Sequence, residues 1–372
     1  MKDLNIALIG CGRVAGHHCR SIENSPGVNL TAVCDLIEDN AKNYGDEFSV
    51  PYFTNYHQML IHHPEINIVS IITPSGMHFE HTSEIIEQYE KNVIVEKPTF
   101  MRPEQAEAAF KLADAKNVEI FPVFQNRYNK AVRRVWKALN NGELGDIRIV
   151  SVRVRWCRPQ RYYDMADWRG TFSHDGGALT NQCIHHVDLL RHLGGEVKKV
   201  NASMRTLGAD IEVEDTVVAT LDYGSETVGV LEGTTAARPD DFEASLSIVG
   251  SKGLAQIGGV AVNELQIFTP EPTECAANSE DFIGIKGHGA VYGYGHSDMY
   301  ADIVKHFSSE APYPVDREDC LNTLKLLHAF YRSDEVGDWV EIKNAEQSAR
   351  LGKPNETISD LYRTAPLEGP TN

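Results

Sequence analysis

Six residues near the start constrain this chain more than any others. Gly10-Cys11-Gly12-Arg13-Val14-Ala15 follow the apolar run Leu4 to Ile9 and open an amphipathic segment from Ala15 to Asn24. A G-x-G-x-x-A string in that place calls for a strand, a tight turn and a helix. The first glycine allows the turn, the second lets the backbone approach a pyrophosphate, and the small third residue lets the helix pack closely while its N-terminus stabilises the anion. Gly10, Gly12, Arg13 and Val14 are therefore cofactor-side candidates. The second apolar run, Leu30 to Cys34, ends in Asp35, where a carboxylate can accept hydrogen bonds from ribose hydroxyls. A carboxylate there repels a 2′-phosphate, and Leu36-Ile37-Glu38 supplies no cation to offset it. NAD is expected over NADP.

Runs and helical stretches keep alternating. Ile66 to Ile72, Asn92 to Val95 and Val118 to Val123 are short apolar runs; Ile37 to Glu47, Phe79 to Tyr89 and Pro103 to Lys116 are amphipathic. That rhythm predicts an α/β Rossmann domain, a doubly wound parallel sheet over residues 1–123. After a helical stretch from Tyr128 to Asn141 the pattern changes to longer alternating segments: Ile147 to Trp156, Val197 to Thr206, Val213 to Tyr223, Thr227 to Thr235 and Glu243 to Gly250. These predict an α+β second domain on a predominantly antiparallel sheet over residues 124–345. Two late helices, Ser297 to Ser308 and Arg317 to Ser333, are expected within it, and 346–372 reads as a tail.

The length of 372 residues fits two domains. A formal charge of −18 repels phosphate backbones and anionic membrane surfaces, so no nucleic-acid or membrane partner is expected. No apolar run reaches bilayer length and no signal peptide is read at the N-terminus, which points to a cytoplasmic protein. Seven cysteines lie scattered without a C-x-x-C pair, and His17, His18, His57, His62 and His63 lack ligand spacing. They read as helix or loop residues, and no metal is expected.

Thr73-Pro74-Ser75-Gly76-Met77-His78 and Glu96-Lys97-Pro98 each follow a parallel strand, at the edge where ligands bind in such sheets. Thr73, Pro74, Ser75, His78, Glu96 and Lys97 join the cofactor-side candidates. In the second domain, Asp175-Gly176-Gly177-Ala178-Leu179-Thr180-Asn181-Gln182-Cys183-Ile184-His185-His186-Val187-Asp188 places Asn181 beside an N-cap if a helix opens near Gln182. His185, Asp188 and Leu189 then share a face.

Together these motifs resemble the Gfo/Idh/MocA family, named for glucose-fructose oxidoreductase and inositol dehydrogenase, over nearly the whole chain. The resemblance implies catalytic roles for Lys97 and His185. Where the family commonly has Asp, this chain has Asn181, which can orient a sugar hydroxyl but cannot share a proton. Gln125-Asn126-Arg127-Tyr128, Arg155-Trp156-Cys157-Arg158-Pro159-Gln160-Arg161-Tyr162-Tyr163 and Trp168-Arg169-Gly170-Thr171 resemble the branch that oxidises UDP-N-acetyl-D-glucosaminuronate at its 3-hydroxyl in bacterial surface-polysaccharide (O-antigen, lipopolysaccharide) synthesis. That likeness implies a UDP-sugar substrate, Gln125 on the cofactor, and Lys97, Arg127, Arg155, Arg158, Tyr162, Tyr163, Trp168, Arg169, Asn181, Gln182, His185, His186 and Tyr300 around the sugar nucleotide. It also implies that the second domain, 124–345, serves as a substrate and oligomerisation domain in a dimer or homotetramer, and that NADH is recycled by a 2-oxo acid such as 2-oxoglutarate.

Residues 148 to 169 hold Arg148, Arg153, Arg155, Arg158, Arg161 and Arg169 against Asp164 and Asp167, a local reversal of the chain's charge. Arg153 and Arg155 share one strand face while Val150, Val152 and Val154 share the other. Guanidinium forks suit a diphosphate and a sugar carboxylate, and the neighbouring aromatics suit a uracil or sugar face. Surface ion pairs or an intersubunit contact are the alternative use of some of the six. His186 is read as either a sugar contact or a structural residue, and Gly293-Tyr294-Gly295-His296 as a segment returning toward the substrate with His296 or Tyr300. For alcohol oxidation, His185 suits a general base and Lys97 an alkoxide stabiliser, or the reverse. A free polyol or cyclitol as substrate, and a non-catalytic dinucleotide-binding regulator, are the competing readings.

Overall fold

The computed structural model describes residues 3–224, 226–282 and 292–367. Two units make up the chain, one comprising Met1–Val123, His296–Cys320 and Asn355–Asn372, the other Phe124–Gly295 and Leu321–Pro354. The expected consecutive segments 124–345 and 346–372 give way to an interleaved arrangement, because the chain rejoins the first unit at His296 and again at Asn355. The end of the expected tail, 368–372, lies outside the described residues.

The first unit is built on six parallel strands: β1 (Leu4–Ile9), β2 (Val28–Cys34), β3 (Tyr52–Phe53), β4 (Ile68–Ile71), β5 (Asn92–Val95) and β6 (Ile120–Pro122). Their order is β3-β2-β1-β4-β5-β6. Ile6–Ile9, all of β4 and Val93–Val95 are buried without alternation, the mark of a parallel sheet covered on both faces. Helices α1 (Ala15–Glu23), α2 (Glu38–Phe48), α3 (Tyr56–His62), α4 (His78–Tyr89) and α5 (Pro103–Lys116) connect the strands. The chain winds outward to one side from β1 to β3 and to the other from β4 to β6. The β1–β4 boundary is thus the switch point, where the turns after both strands open a crevice at their carboxyl ends. The two-residue β3 and the short α3 went unread in the sequence, since neither is long enough to show a period.

The second unit carries β7 (Ile147–Arg155), β8 (Lys199–Arg205), β9 (Thr216–Asp222), β10 (Val228–Thr234), β11 (Glu243–Gly250), β12 (Leu254–Gly258), β13 (Glu264–Phe268) and β14 (Val340–Glu341), ordered β13-β12-β11-β7-β10-β9-β8-β14. Every pairing is antiparallel except β7 with β10. Val150, Val152 and Val154 of β7, Val217, Ala219 and Leu221 of β9, and Ala244, Leu246 and Ile248 of β11 are buried at alternate positions. After α6 (Lys130–Asn140) and α7 (Gln160–Tyr163), α8 (Ile184–Gly194) lies on this buried face: a Cβ built on Gly194 would come 3.0 Å from Cγ2 of Val150. The opposite face stays open, exposing Ile149, Val218, Val228, Val230 and Val249. The late helices run as α9 (Gly295–Phe307) and α10 (Arg317–Val336).

A buried ion pair anchors α8. Arg127, in the 3-10 turn Gln125–Tyr128, donates from Nε to Asp188 Oδ2 at 2.7 Å and from Nη2 to Oδ1 at 2.6 Å. Both residues are buried, so each charge depends on the other. Arg127→Ala leaves the Asp188 carboxylate uncompensated and should lower unfolding free energy by about 3–5 kcal/mol in denaturant titration; a loss below ~1 kcal/mol would show that the pair contributes little.

Candidate functional site

In the first unit the turn after β1 has the shape that a dinucleotide needs. Gly10 holds φ +97°, and a Cβ there would lie 2.6 Å from the Ile72 carbonyl oxygen, so neither its conformation nor its space admits a side chain. Gly12 is exposed, and a Cβ built on it would meet nothing within 4 Å, which is the room a pyrophosphate occupies against the backbone. Ala15 is fully buried at the start of α1, whose N-cap Val14 makes no side-chain cap, so no N-cap side chain competes with an anion at that end. Asp35 accepts from Cys11 N through Oδ2 and from Ile37 N through Oδ1, both at 2.8 Å. Each oxygen retains a lone pair for a ribose hydroxyl. These residues fit a bound NAD.

The turns after β4 and β5 are tied to each other. Thr73 Oγ1 lies 2.9 Å from His81 Nδ1. His78, expected to touch cofactor, is instead fully buried, with Nδ1 2.8 Å from the Pro98 carbonyl and Nε2 2.9 Å from that of Thr73. Burial lowers the imidazole's pKa, so the neutral ring donates its single N–H to one of these two carbonyls while packing between the two turns. Glu96, another expected cofactor contact, points inward: Oε1 accepts from His18 Nε2 at 3.0 Å and lies 3.3 Å from His296 Nε2, while Oε2 accepts from Lys97 N at 2.9 Å. Burial opposes its ionisation, but the bonds from His18 and His296 outweigh that and hold the carboxyl well below the usual range. Lys97 itself is half-buried, between buried Glu96 and Pro98.

Tyr300 and His296 join this cluster rather than a sugar pocket. Tyr300 is fully buried with its hydroxyl 2.8 Å from His18 Nδ1, which removes it from the substrate contacts expected of it. Ligand atoms of His18, Glu96 and His296 lie within 4.8 Å of one another, the composition of a metal site. The separations to Glu96 are those of hydrogen bonds, with the carboxylate as shared acceptor. Sequence spacing gave no sign of the cluster because its members come from positions 18, 96 and 296.

In the second unit, Ala178–Gln182 forms a π-helical turn and α8 begins at Ile184 after Cys183. Asn181 is therefore inside the turn rather than at an N-cap. Its amide donates to Asp175 Oδ1, and Asp175 Oδ2 accepts from Gly170 N at 2.7 Å. Gln182 Nε2 donates to Asn181 Oδ1 at 2.9 Å and to Tyr162 OH at 3.0 Å, and its Oε1 accepts from Arg158 Nε at 2.9 Å. Arg169 donates to Tyr162 OH at 2.5 Å and lies 4.4 Å and 4.5 Å from the ring centroids of Tyr162 and Trp168. A single polar network thus links Asn181, Gln182, Arg158, Tyr162 and Arg169 ahead of His185, which is buried against the Phe124 ring.

The six arginines separate. Arg155 bonds Glu232 through Nε at 2.6 Å, and Arg153 lies near Glu232 and Glu243. Both arginines are on the open face of β7, opposite α8 and His185, because strand alternation turns them away from Val150, Val152 and Val154. Arg155, expected on the substrate, is held here in a cross-strand ion pair; its acidic partners sit on β10 and β11, whose flanking of β7 the sequence does not reveal. Arg158 pairs with Asp241 at 2.7 Å. Arg169 forms no ion pair among the described residues, and Arg148 and Arg161 are exposed. Three more expected sugar contacts are structural. Arg127 is spent on Asp188. Tyr163 is buried with its hydroxyl 3.0 Å from Thr235 Oγ1. His186 is fully buried edge-on to Trp156, and burial pushes its pKa down to about 3. Gln125 is also buried, with Oε1 lacking a hydrogen-bond partner among the described residues.

Residues 4–124 match the model of an oxidoreductase family with an NAD-binding Rossmann fold, and 132–256 match the Gfo/Idh/MocA C-terminal domain. The chain belongs to the Gfo/Idh/MocA oxidoreductase family. It is similar to the NADP(+)-dependent scyllo-inositol 2-dehydrogenase IolW of Bacillus subtilis, 32% identical over 73% of this chain and 78% of that one. Among solved structures of the family, the WlbA dehydrogenase of Bordetella pertussis in complex with NADH and UDP-GlcNAcA superimposes at a TM-score of 0.84, with 32% identity over 91% of this chain and 98% of its own. That of Chromobacterium violaceum, with the same two ligands, also scores 0.84, with 34% identity over 93% and 98%. As a Gfo/Idh/MocA protein with this turn and Asp35, the chain is an NAD-binding oxidoreductase.

The π-turn rests on Glu214, which is fully buried and accepts from Leu179 N at 2.9 Å. Burial pushes its carboxyl up to about 8. Tyr331 OH bonds the Gly176 carbonyl and also lies 2.8 Å from Glu214 Oε1, and a protonated Glu214 supplies the proton that a single hydroxyl cannot. The folded state keeps this proton above the unfolded carboxyl's pKa of about 4.3, so its contribution to stability falls as pH rises from there to about 8. Glu214→Gln removes the titration. In denaturant melts at pH 5, 6.5 and 8 the variant should gain on the parent with rising pH, by at most ~1.4 kcal/mol per unit; a gap that does not change with pH would contradict the raised pKa.

Proposed function

We propose that this protein is an NAD-dependent dehydrogenase that oxidises the 3-hydroxyl of UDP-N-acetyl-D-glucosaminuronate to the 3-keto nucleotide sugar, for surface-polysaccharide (O-antigen) synthesis in the cytoplasm. The observation that carries the reading is Arg169, a cation with no carboxylate partner among the described residues, stacked between two aromatic rings and joined through Tyr162 and Gln182 to the turn that precedes His185. A guanidinium held in that way suits a phosphate or a sugar carboxylate, and Tyr162 and Trp168 suit a uracil or pyranose face. The likeness to two UDP-GlcNAcA-bound WlbA dehydrogenases supports the same substrate.

Bound NAD supplies the hydride acceptor. Gly12 and the first turn of α1 hold its diphosphate and Asp35 its ribose. His185 takes the hydroxyl proton as the carbon–hydrogen bond breaks, the general-base role open to an imidazole. Lys97 hydrogen-bonds the same oxygen and stabilises the developing alkoxide. Asn181, fixed by Asp175 and Gln182, orients a neighbouring hydroxyl without moving a proton. A 2-oxo acid such as 2-oxoglutarate would take back the hydride with a proton and leave as the 2-hydroxy acid. The exposed valines on the open face of the second sheet fit a contact with another copy, as a homotetramer requires.

The relation to a scyllo-inositol dehydrogenase favours a second reading, a free cyclitol as substrate. Purified protein incubated with NAD and UDP-N-acetylglucosaminuronate should yield a product lighter by about two mass units, the hydrogens lost in alcohol oxidation, with UDP competing. Lys97→Ala and His185→Ala should each reduce kcat by at least ~10²-fold while still binding NAD. Oxidation of scyllo-inositol but not of the nucleotide sugar, unaffected by UDP, would replace the first reading with the second.

A further inference from the structure

We propose that Tyr44 is a positioning residue for the cofactor: from α2 its hydroxyl donates to the Gly12 carbonyl and holds the diphosphate turn in the shape that receives NAD. The inference rests on dinucleotide binding by the first unit and on the place given to the Gly12 turn above, and not on which sugar is oxidised.

The turn after β1 is tethered unevenly. Its first half is fixed by packing and by the end of β2: Gly10 has no room beside the Ile72 carbonyl, Gly10 N donates to the Cys34 carbonyl at 2.8 Å, and Cys11 N donates to Asp35 Oδ2 at 2.8 Å. At Gly12 packing gives out, since even an added Cβ would meet nothing within 4 Å. Two hydrogen bonds to the Gly12 carbonyl oxygen act there instead. One comes from Ala15 N at 3.2 Å and moves with the turn; the other comes from Tyr44 OH at 3.1 Å, 32 residues along the chain. Tyr44 is itself firmly placed. It stacks on Phe48 one helical turn later, with ring centroids 6.1 Å apart and planes 11° from parallel, and Phe48 and Ala41 are buried. A Cβ built on Gly45 would come 2.9 Å from Cβ of Tyr52, so α2 lies directly against β3 and cannot shift far.

The chemistry of the turn makes this bond useful. A glycine with open space around it samples many backbone conformations, and ordering it on binding costs free energy that a tether already in place removes. Orientation matters as much as order. The C=O and N–H of a trans peptide point to opposite sides, so a Gly12 carbonyl held toward α2 keeps the Arg13 N–H on the side away from Tyr44. A carbonyl rotated the other way would set a partial negative charge where the diphosphate lies. Tyr44 is a dependable donor, because burial raises the pKa of its hydroxyl and keeps it protonated. Asp35 engages the start of the same helix, its Oδ1 accepting from Ile37 N at 2.8 Å, and Tyr44 follows Ile37 about two turns later. One helix thus supports both the ribose-reading carboxylate and the diphosphate turn.

Tyr44→Phe keeps the ring and its stacking on Phe48 and removes only the hydroxyl. In calorimetric titration of the full-length protein, NAD and ADP-ribose should each bind Tyr44→Phe about three- to tenfold more weakly than the parent, the effect of a neutral hydrogen bond. Adenosine, which carries the ribose but no phosphate, should compete with NADH with inhibition constants that agree between the two proteins within about twofold. A helix that had merely loosened would take Asp35 with it and weaken all three ligands alike. That outcome overturns the proposal, as does an unchanged NAD affinity in a folded Tyr44→Phe protein. Thermal melting identifies a variant that has lost the fold, in which case Tyr44→Met, also without a donor, takes its place with the same expected result. No sugar enters these titrations, so a failure of the nucleotide-sugar reading leaves their outcome intact.

Discussion

A parallel sheet buried on both faces can offer its backbone to a ligand only where its strands end, and the chemistry of the first unit follows from that constraint. β1, β4 and β5 are sealed along their lengths. The turn at Gly10 to Gly12 and the segments beginning at Thr73 and Glu96 emerge together at one edge. Gly10 must approach the Ile72 carbonyl more closely than any side chain allows, so the turn after β1 is shaped by the strand beside it. Asp35 fixes the same turn through Cys11 N, so the group that reads the ribose also supports the diphosphate loop.

The second unit solves a different problem. Its sheet is sealed on one face only, and the polar residues near His185 hold each other through hydrogen bonds that run Asp175, Asn181, Gln182, Tyr162, Arg169. Each member is oriented by the next, which gives the array a fixed geometry before any ligand arrives. The cost is carried by the turn that presents it: a π-helical segment, two glycines at positive φ, and a buried carboxyl at Glu214 kept protonated by its surroundings.

Much of this was legible in the residues. The glycine turn, Asp35 and the strand–helix rhythm identify the first unit because each is a local rule, and the alternation of Val150, Val152 and Val154 with Arg153 and Arg155 gave the correct strand faces. What the pattern could not give was which face α8 covers and which strands flank β7, and so Arg155 was assigned to substrate when Glu232 holds it. Arg127, Tyr163 and Tyr300 were read toward the ligand, and the structure gives each a buried partner, for a related reason: a polar side chain in a motif is equally suited to ligand or to a buried partner, and the partner, Asp188 for Arg127 or His18 for Tyr300, lies far along the chain. The Glu96 cluster was invisible for the same cause, three residues from positions 18, 96 and 296 meeting at one carboxylate.

The central claim is that one lysine and one histidine, supplied by different parts of the chain, work on a single hydroxyl. A crystal structure of the protein with NAD and UDP-N-acetylglucosaminuronate tests it most directly. The account predicts Lys97 Nζ and a ring nitrogen of His185 each about 3 Å from the sugar 3-oxygen, the reach of a proton transfer, with Arg169 on the diphosphate or the carboxylate. A sugar bound with that oxygen in reach of only one of the two, or of neither, would contradict it.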